Sequence, residues 1–530
     1  MHRIYRSSPL YLIMPVKNSK SLQHFKRTYH CISPIFLIIL LCIYLIFFSP
    51  STIYTTTPFT ISLDCNQTDG VISSCAGIND GPLPIRHVKG GIDITKQYQD
   101  VGINFIRTHD FFGPTDVSTI FPSWDASPFE EESYNFTGSD EVITSIINSG
   151  AQVFYRLGES ASGNESLSIP PENMAKWAEV CKHIVMHYND GWNNGFNYNI
   201  TYWEIWNEPD LEGFWKGTAD EYYELYNTTV QILKAYDPSL RIGGPCTSSI
   251  TDERFTHGFL TYLVDHGLPM DFYSWHLYAD TPHDFYTASR TVRCLLDSYG
   301  FVDCESINTE WNINIISPQR DKDNAKNAAF TACSFTVLQD AGINRVFRYR
   351  GTQDYNRLMR FIGFDLSLFT HDGGYKIPAL AYAAMHYIVR DSPLRLTTPL
   401  MDGSNGITYL AGISEDKTNI SILISNYEAA DTSYTLNLTN LPWNTLYTAV
   451  LYLIDEDHHL EIVENITSSK PVYSTTQTLK RSTVHFIRLT SSTVVPEEGP
   501  PVAPISPILR LRILDPIARI VGILVLMLFF

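Results

Sequence analysis

Between about residues 66 and 392 the chain alternates two textures. Short apolar runs bounded by polar or turn residues read as buried parallel strands at 104–109, 152–157, 201–206, 241–244, 271–276, 306–310 and 345–350. A first strand falls somewhere in 71–92. Between them lie stretches with apolar positions at helical spacing, at 140–149, 171–186, 219–235, 325–340 and 378–389. Eight strands each followed by a helix predict an α/β fold, a closed (β/α)8 TIM barrel. After about 393 the period changes to two. Runs rich in Thr, Tyr, Ile and Val at 406–413, 420–427, 433–438, 445–453 and 483–489 predict a C-terminal β-sandwich over 393–492.

The two ends read differently. Residues 1–34 form a basic region, with Arg3, Arg6, Lys17, Lys20, Lys26 and Arg27 and no acid. Residues 35–48 are an uninterrupted apolar run, short for a membrane span, which needs about 17–25 residues. Two readings stand: a signal-peptide core, or a signal-anchor that keeps the basic end in the cytosol. A buried core helix is the bland alternative. Residues 49–65 are rich in Ser, Thr and Pro and read as a linker to a barrel over 66–392. Residues 493–530 form a Pro-rich tail whose last run, 520–530, is apolar as in a GPI signal, although Arg510, Arg512, Asp515 and Arg519 interrupt the spacer.

Composition narrows the class. At 530 residues, 44% hydrophobic and 18% charged, the chain can bury a large core. A net charge of −18 disfavours nucleic acid and anionic lipid as partners. Sequons at Asn66, Asn135, Asn164, Asn199, Asn227, Asn419, Asn437 and Asn465, all downstream of the apolar run, predict a glycoprotein of the secretory pathway, secreted or membrane-anchored. Cys65/Cys75 and Cys294/Cys304 are each ten apart and could close local loops in an oxidising lumen. Cys181, Cys246 and Cys333 read as buried and free. No spacing suggests a metal, and no organic cofactor is implied.

The candidate chemistry sits at two strand ends. Thr201-Tyr202-Trp203-Glu204-Ile205-Trp206 is an apolar, aromatic run that stops at Asn207-Glu208-Pro209, because Pro209 cannot continue a ladder. Ser306-Ile307-Asn308-Thr309-Glu310-Trp311 repeats the design. In a barrel of this kind strand carboxyl ends face the active side. Two carboxyl groups there match what cleavage of a glycosidic bond requires. Trp203 and Trp206 add apolar surroundings that favour a protonated Glu208. For a lone strand-end glutamate, a surface or salt-bridged role would be the better reading; the pair reverses that.

Trp206-Asn207-Glu208-Pro209 and Asn308-Thr309-Glu310-Trp311 resemble the two signature strands of clan A glycoside hydrolases. Within the clan the chain is most similar to glycoside hydrolase family 39, which includes β-xylosidases and α-L-iduronidases. The similarity runs from Ile106-Arg107-Thr108-His109-Asp110 to Lys376-Ile377-Pro378-Ala379-Leu380-Ala381-Tyr382, with Phe214-Trp215 and Arg241-Ile242-Gly243-Gly244-Pro245 between. It implies Glu208 as acid/base, Glu310 as nucleophile, Asn207 on the sugar 2-hydroxyl, and a retaining double displacement. His276 and Tyr278 would orient Glu310 and keep it ionised; a satisfied core histidine is the bland alternative. Arg107 could bond Glu310 and lower its pKa, with His109 beside it, the alternative being a barrel-bottom ion pair. Trp311 joins them as a substrate contact.

The sugar is less constrained. Arg156, Arg348 and Arg350 could fork onto a uronic-acid carboxylate, but pairing with Glu159, Asp110 or Asp354 is the preferred reading. The expectation is therefore a β-xylosidase-like exo-glycosidase on a carbohydrate substrate. A uronidase or endo-glycosidase of the same clan comes second. From a different class comes a non-catalytic carbohydrate-binding surface protein, which would have no need of both glutamates. Membrane contact would run through the N-terminal apolar segment if it is uncleaved. Oligomeric state is not readable.

Overall fold

The computed structural model describes residues 58–83, 92–109, 113–160, 165–250, 253–352 and 363–492. Both terminal apolar runs lie outside these residues. Among the described residues no helix is long and apolar enough to cross a membrane.

Two short strands, β1 (Phe59–Asp64) and β2 (Thr68–Val71), precede the barrel. The barrel strands are β3 (Gly77–Asn79), β4 (Phe105–Arg107), β5 (Gln152–Leu157), β6 (Tyr202–Ile205), β7 (Arg241–Thr247), β8 (Phe272–Ala279), β9 (Glu305–Ile313) and β10 (Arg345–Arg348). They close in sequence order, all parallel, with β10 returning to β3. At that seam an added Cβ on Gly77 would lie 2.2 Å from the Val346 carbonyl, so only glycine lets the two backbones approach. Helices such as Met174–Asp190, Ala219–Tyr236 and Pro282–Ser298 cover the outside. Thr218 starts the second of these with a reciprocal capping box to Glu221.

The barrel interior is layered. Phe105, Phe154, Tyr202, Phe272, Ile307 and Phe347 pack together as an aromatic plug. Arg345 lies over Phe105 and Tyr202 at 4.6 and 4.8 Å. Two residues further along the same strands, the inward positions become Arg107, Arg156 and Glu204, because strand side chains alternate with a period of two. The apolar floor thus carries a charged layer.

The second module comprises β11 (Leu394–Leu396), β12 (Ile407–Ile413), β13 (Asn419–Asn426), β14 (Thr432–Thr439), β15 (Tyr447–Ile454), β16 (His459–Ser468), β17 (Tyr473–Leu479) and β18 (Thr483–Ser491). Together with β1 and β2 they form a seven-stranded and a three-stranded sheet around their own core. The linker reading is corrected for 58–65, as is a barrel starting at 66; residues 49–57 lie outside the described residues. β1 pairs with β14 and β2 with β11, so both belong to the sandwich. Ile61 and Leu63 alternate inward between polar neighbours, a short strand pattern masked by its Ser/Thr content. Helix Ala325–Asp340 is buried all round because it lies between barrel and sandwich. Ser425 Oγ donates to its Ala329 carbonyl at 2.8 Å.

The disulfide expectation is also corrected. Cys65, Cys75, Cys294 and Cys304 are free thiols. Cys65 lies in the sandwich core and Cys75 in the barrel core, so ten residues of spacing separate two cores instead of closing a loop. Cys294 is exposed while Cys304 is buried. Cys181, Cys246 and Cys333 are buried free thiols.

Candidate active site

Arg107, at the end of the second barrel strand, organises the charged layer. It is fully buried and donates in five directions. Nε reaches Glu204 Oε2 at 2.7 Å. Nη1 reaches Asn79 Oδ1 and Glu310 Oε1, both at 3.0 Å. Nη2 reaches Asn207 Oδ1 at 2.8 Å and Cys246 Sγ at 3.0 Å. A planar guanidinium is suited to such a fixed fan of acceptors.

Glu310 comes from the seventh barrel strand, 5% exposed. Besides Arg107 it accepts from the Tyr278 hydroxyl at 2.7 Å, and His109 Nε2 lies 3.5 Å from Oε1. Burial pushes its pKa up; His276, Arg107 and the Tyr278 hydrogen bond pull down while Glu208 adds to the rise. The expected lowering by Arg107 is present but outweighed by desolvation. Burial likewise holds the Tyr278 phenol well above its ordinary value, so it stays a donor. Burial, helped by Arg107 and Arg156, keeps His109 well below its ordinary value and hence neutral.

Glu208 follows the fourth strand. Its backbone adopts φ 45°, Trp206 φ 72° and Cys246 φ 58°, three left-handed non-glycine residues at one strand-end cluster. The Glu208 amide donates to the Cys246 carbonyl at 2.9 Å. His276 Nδ1 lies 2.8 Å from Glu208 Oε1 and 3.8 Å from Glu310 Oε2. The histidine expected against Glu310 therefore sits between the two carboxyl groups and closer to Glu208. Asn207 turns its oxygen to Arg107, and its Nδ2 is buried without a partner among the described residues.

Glu208, His276 and Glu310 offer one atom each within 4.8 Å of one another. Arg107 and the Tyr278 hydroxyl already donate to the Glu310 oxygens, and the guanidinium adds positive charge there. The trio has the character of a hydrogen-bonded carboxyl pair, not of a cation cage.

Trp311 is the sequence candidate that the structure moves away. It is fully buried on the helix side, against Phe285 at 5.6 Å and Phe335 at 6.0 Å, because alternation turns 310 inward and 311 outward. Trp203 faces outward too, stacked on Tyr155 at 4.9 Å. Trp206 packs on Trp215 at 5.0 Å. The arginine partners also differ from expectation. Arg156 pairs with Asp116 at 2.8 Å and Arg350 with Asp80 at 3.1 Å. Arg348 points to the helices, donating to Thr331 Oγ1 at 2.8 Å and lying over Trp311. Asp110 and Asp354 lie outside the described residues. Asn79, Glu204 and Cys246 are site residues that sequence reasoning did not single out. The signal for Glu204 was a charge in the middle of a fully buried strand, which demands a partner.

The model of glycosyl hydrolases family 39 matches residues 91–349. A β-xylosidase of Geobacillus stearothermophilus is 28% identical over 296 residues, half of this chain and 57% of its own length. A β-xylosidase of Caldicellulosiruptor saccharolyticus is 28% identical over 200 residues, 35% of this chain and 38% of its own. The matched segment thus spans less than two thirds of either relative. The crystal structure of a glucosidase from Croceicoccus marinus superposes with a TM-score of 0.73 at 26% identity, covering 82% of this chain and 99% of that one. A monomeric β-xylosidase from Caulobacter crescentus CB15 shares the fold at a TM-score of 0.64 and 18% identity, over 82% of this chain and all of that one. The matched family model and these relatives support a place for the barrel in glycoside hydrolase family 39 of clan A.

Proposed function

We propose that the protein is a retaining glycoside hydrolase, a β-xylosidase-like exo-glycosidase. The observation that carries this is the carboxyl pair: Glu208 just beyond the fourth barrel strand and Glu310 near the carboxyl end of the seventh, with one oxygen of each within 4.8 Å. Retaining enzymes hold their carboxyls about 5–5.5 Å apart, whereas inverting ones leave about 6.5–9.5 Å for a water. In this reading Glu310, held by Arg107 and Tyr278, attacks the anomeric carbon. Glu208 protonates the leaving oxygen, then activates water to release the sugar with its configuration kept. The unpartnered Asn207 Nδ2 is a donor available to the sugar 2-hydroxyl. The names of the two sequence relatives favour a xyloside, and that of the glucosidase makes β-glucoside the comparison to run. Engagement of Arg156 and Arg350 by acids of the same chain weighs against a uronate reader.

The test is hydrolysis of aryl β-xyloside, β-glucoside, α-L-iduronide and β-glucuronide by the purified full chain, with Glu310→Ala as control. The product anomer is read by proton NMR. Turnover of the xyloside with retention supports the proposal. An inverted product sinks the mechanism. Silence on every substrate moves weight to an endo-acting enzyme or to a non-catalytic carbohydrate-binding surface protein.

We also infer a glycosylated protein of the secretory pathway. Among the sequons, Asn66, Asn135, Asn199 and Asn465 are exposed and open to glycan addition. A mass shift on enzymatic deglycosylation checks this.

A further inference from the structure

Cys246 lies behind both carboxyl groups and touches neither with its side chain. It sits at a register shift in β7, between Pro245 and Thr247, an irregularity that re-aims its thiol into the barrel. Sγ is 2.9 Å from His276 Nε2, 3.0 Å from Arg107 Nη2, 3.4 Å from Asn207 Oδ1 and 3.5 Å from Thr309 Oγ1. Arg107 can only donate, so it fills a sulfur lone pair. The single thiol proton then goes to an acceptor, and the nearest is His276 Nε2. Meanwhile the Cys246 carbonyl holds the Glu208 amide.

We propose that Cys246 is a positioning residue that fixes the tautomer of His276. A neutral imidazole carries one proton. With Nε2 accepting from the thiol, that proton must sit on Nδ1, which then donates to Glu208 Oε1. In the opposite tautomer a lone pair would face the carboxylate that forms when Glu208 gives up its proton. The thiol thus decides, through the imidazole, whether that carboxylate meets a donor or a lone pair, which is how a group in contact with a histidine sets its role. Two conditions of this arrangement hold here. Burial keeps the Cys246 thiol protonated, against the pull of Arg107, and burial keeps His276 below its ordinary pKa and neutral. Charged and titratable groups facing the pair are Glu208, Arg107, Glu204, Glu310, Asp210 and His109.

The tautomer itself does not depend on the retaining-glycosidase reading; only its kinetic consequence does. The experiment is nitrogen-15 NMR of ring-labelled histidine in the full chain, with His276 assigned by loss of its signals in His276→Gln. Wild type is expected to show a neutral ring protonated on Nδ1. Cys246→Ser, which keeps a donor, should preserve that pattern. Cys246→Val, similar in bulk but without one, should lose it. An Nε2-protonated ring in wild type, or an unchanged ring in Cys246→Val, overturns the proposal whatever substrate the protein takes.

The kinetic arm reads the basic limb of kcat/KM on the best substrate of the panel. Removing the Nδ1 donor from the Glu208 carboxylate favours the protonated acid, so the limb should move to higher pH by about half to one unit in Cys246→Val. In Cys246→Ser it should stay near its wild-type position. Loss of packing alone would lower folding stability in both variants without moving the limb. Equal limbs in all three proteins would contradict the positioning role.

Discussion

Arg107 and Glu204 form an ion pair with both side chains at zero exposure, Nε to Oε2 at 2.7 Å. The pair anchors the guanidinium from which Glu310, Asn207, Asn79 and Cys246 are all held. Removing one partner leaves the other charge buried, at a cost of about 3–5 kcal/mol. Glu204→Leu and Arg107→Met are each expected to lower the urea midpoint accordingly. The double variant should regain much of that stability, because the stranded charge is gone, yet remain inactive. Additive losses in the double variant would show that the two residues do not act as a pair.

Replacing Glu310 by alanine should abolish turnover while the protein stays folded by circular dichroism. For Glu208→Ala the loss should depend on the leaving group. Natural glycosides should slow by about 10²–10⁴, and aryl glycosides with acidic leaving groups much less. Equal losses on both substrates would argue against the acid role.

Trp311 offers a clean separation between stability and binding. Its ring packs on Phe285 and Phe335, outside the barrel strands. Trp311→Ala is expected to cost about 3–5 kcal/mol of folding stability. KM measured well below the unfolding temperature should change little. A large KM effect with little destabilisation would return the tryptophan to the substrate.

The sandwich should be sensitive to acid. His485 is buried against the Tyr434 hydroxyl at 2.9 Å, and burial lowers its pKa to about 4. The unfolded chain binds the proton near 6.5, so stability is complete above that value and falls as pH drops toward 4. The loss reaches about 2 kcal/mol at pH 5. His485→Gln should flatten this part of the stability profile; an unchanged slope between pH 5 and 6.5 would refute it.

Glu159 gives the opposite sign. Burial, with Asp116 nearby, pushes its carboxyl up to about 8, against hydrogen bonds from Ser118. Its contribution is fully present below the ordinary carboxylate range and is lost as pH rises toward 8. Relative to wild type, Glu159→Gln should therefore gain stability progressively from about pH 5 to 8 and then level off. Denaturation midpoints of the two proteins across that range provide the check.

Much of this arrangement is legible in the sequence because strands announce themselves. Glu208 follows an apolar run that Pro209 stops, and Glu310 sits in a second such run near the carboxyl end of its strand, which continues to Ile313 beyond the 306–310 expected. Direction is harder to read than location. Trp311 is one residue from Glu310 and faces the opposite way, which only the pleat decides. Asn79 was out of reach because β3 has three residues, too few for a period to show. Cys246 looks like any small buried residue until the register shift in β7 is known. β16 and β17 were missed because their exposed, Thr- and Glu-bearing faces lack a long apolar stripe.

The parallel pairing of β1 with β14 has a consequence for how the chain is made. Asn440 Nδ2 donates to Asp64 Oδ1 at 2.9 Å across 376 residues of sequence. A strand translated before the barrel must wait for the last quarter of the chain, roughly 20–75 s at ordinary ribosomal speeds. During that time Phe59, Ile61 and Leu63 have no native partner and offer an unpaired edge to whatever is nearby. The barrel strands, the last of which ends at Arg348, all emerge before β14 does. The interval between emergence of residue 64 and residue 439 is therefore when this edge is open to mispairing.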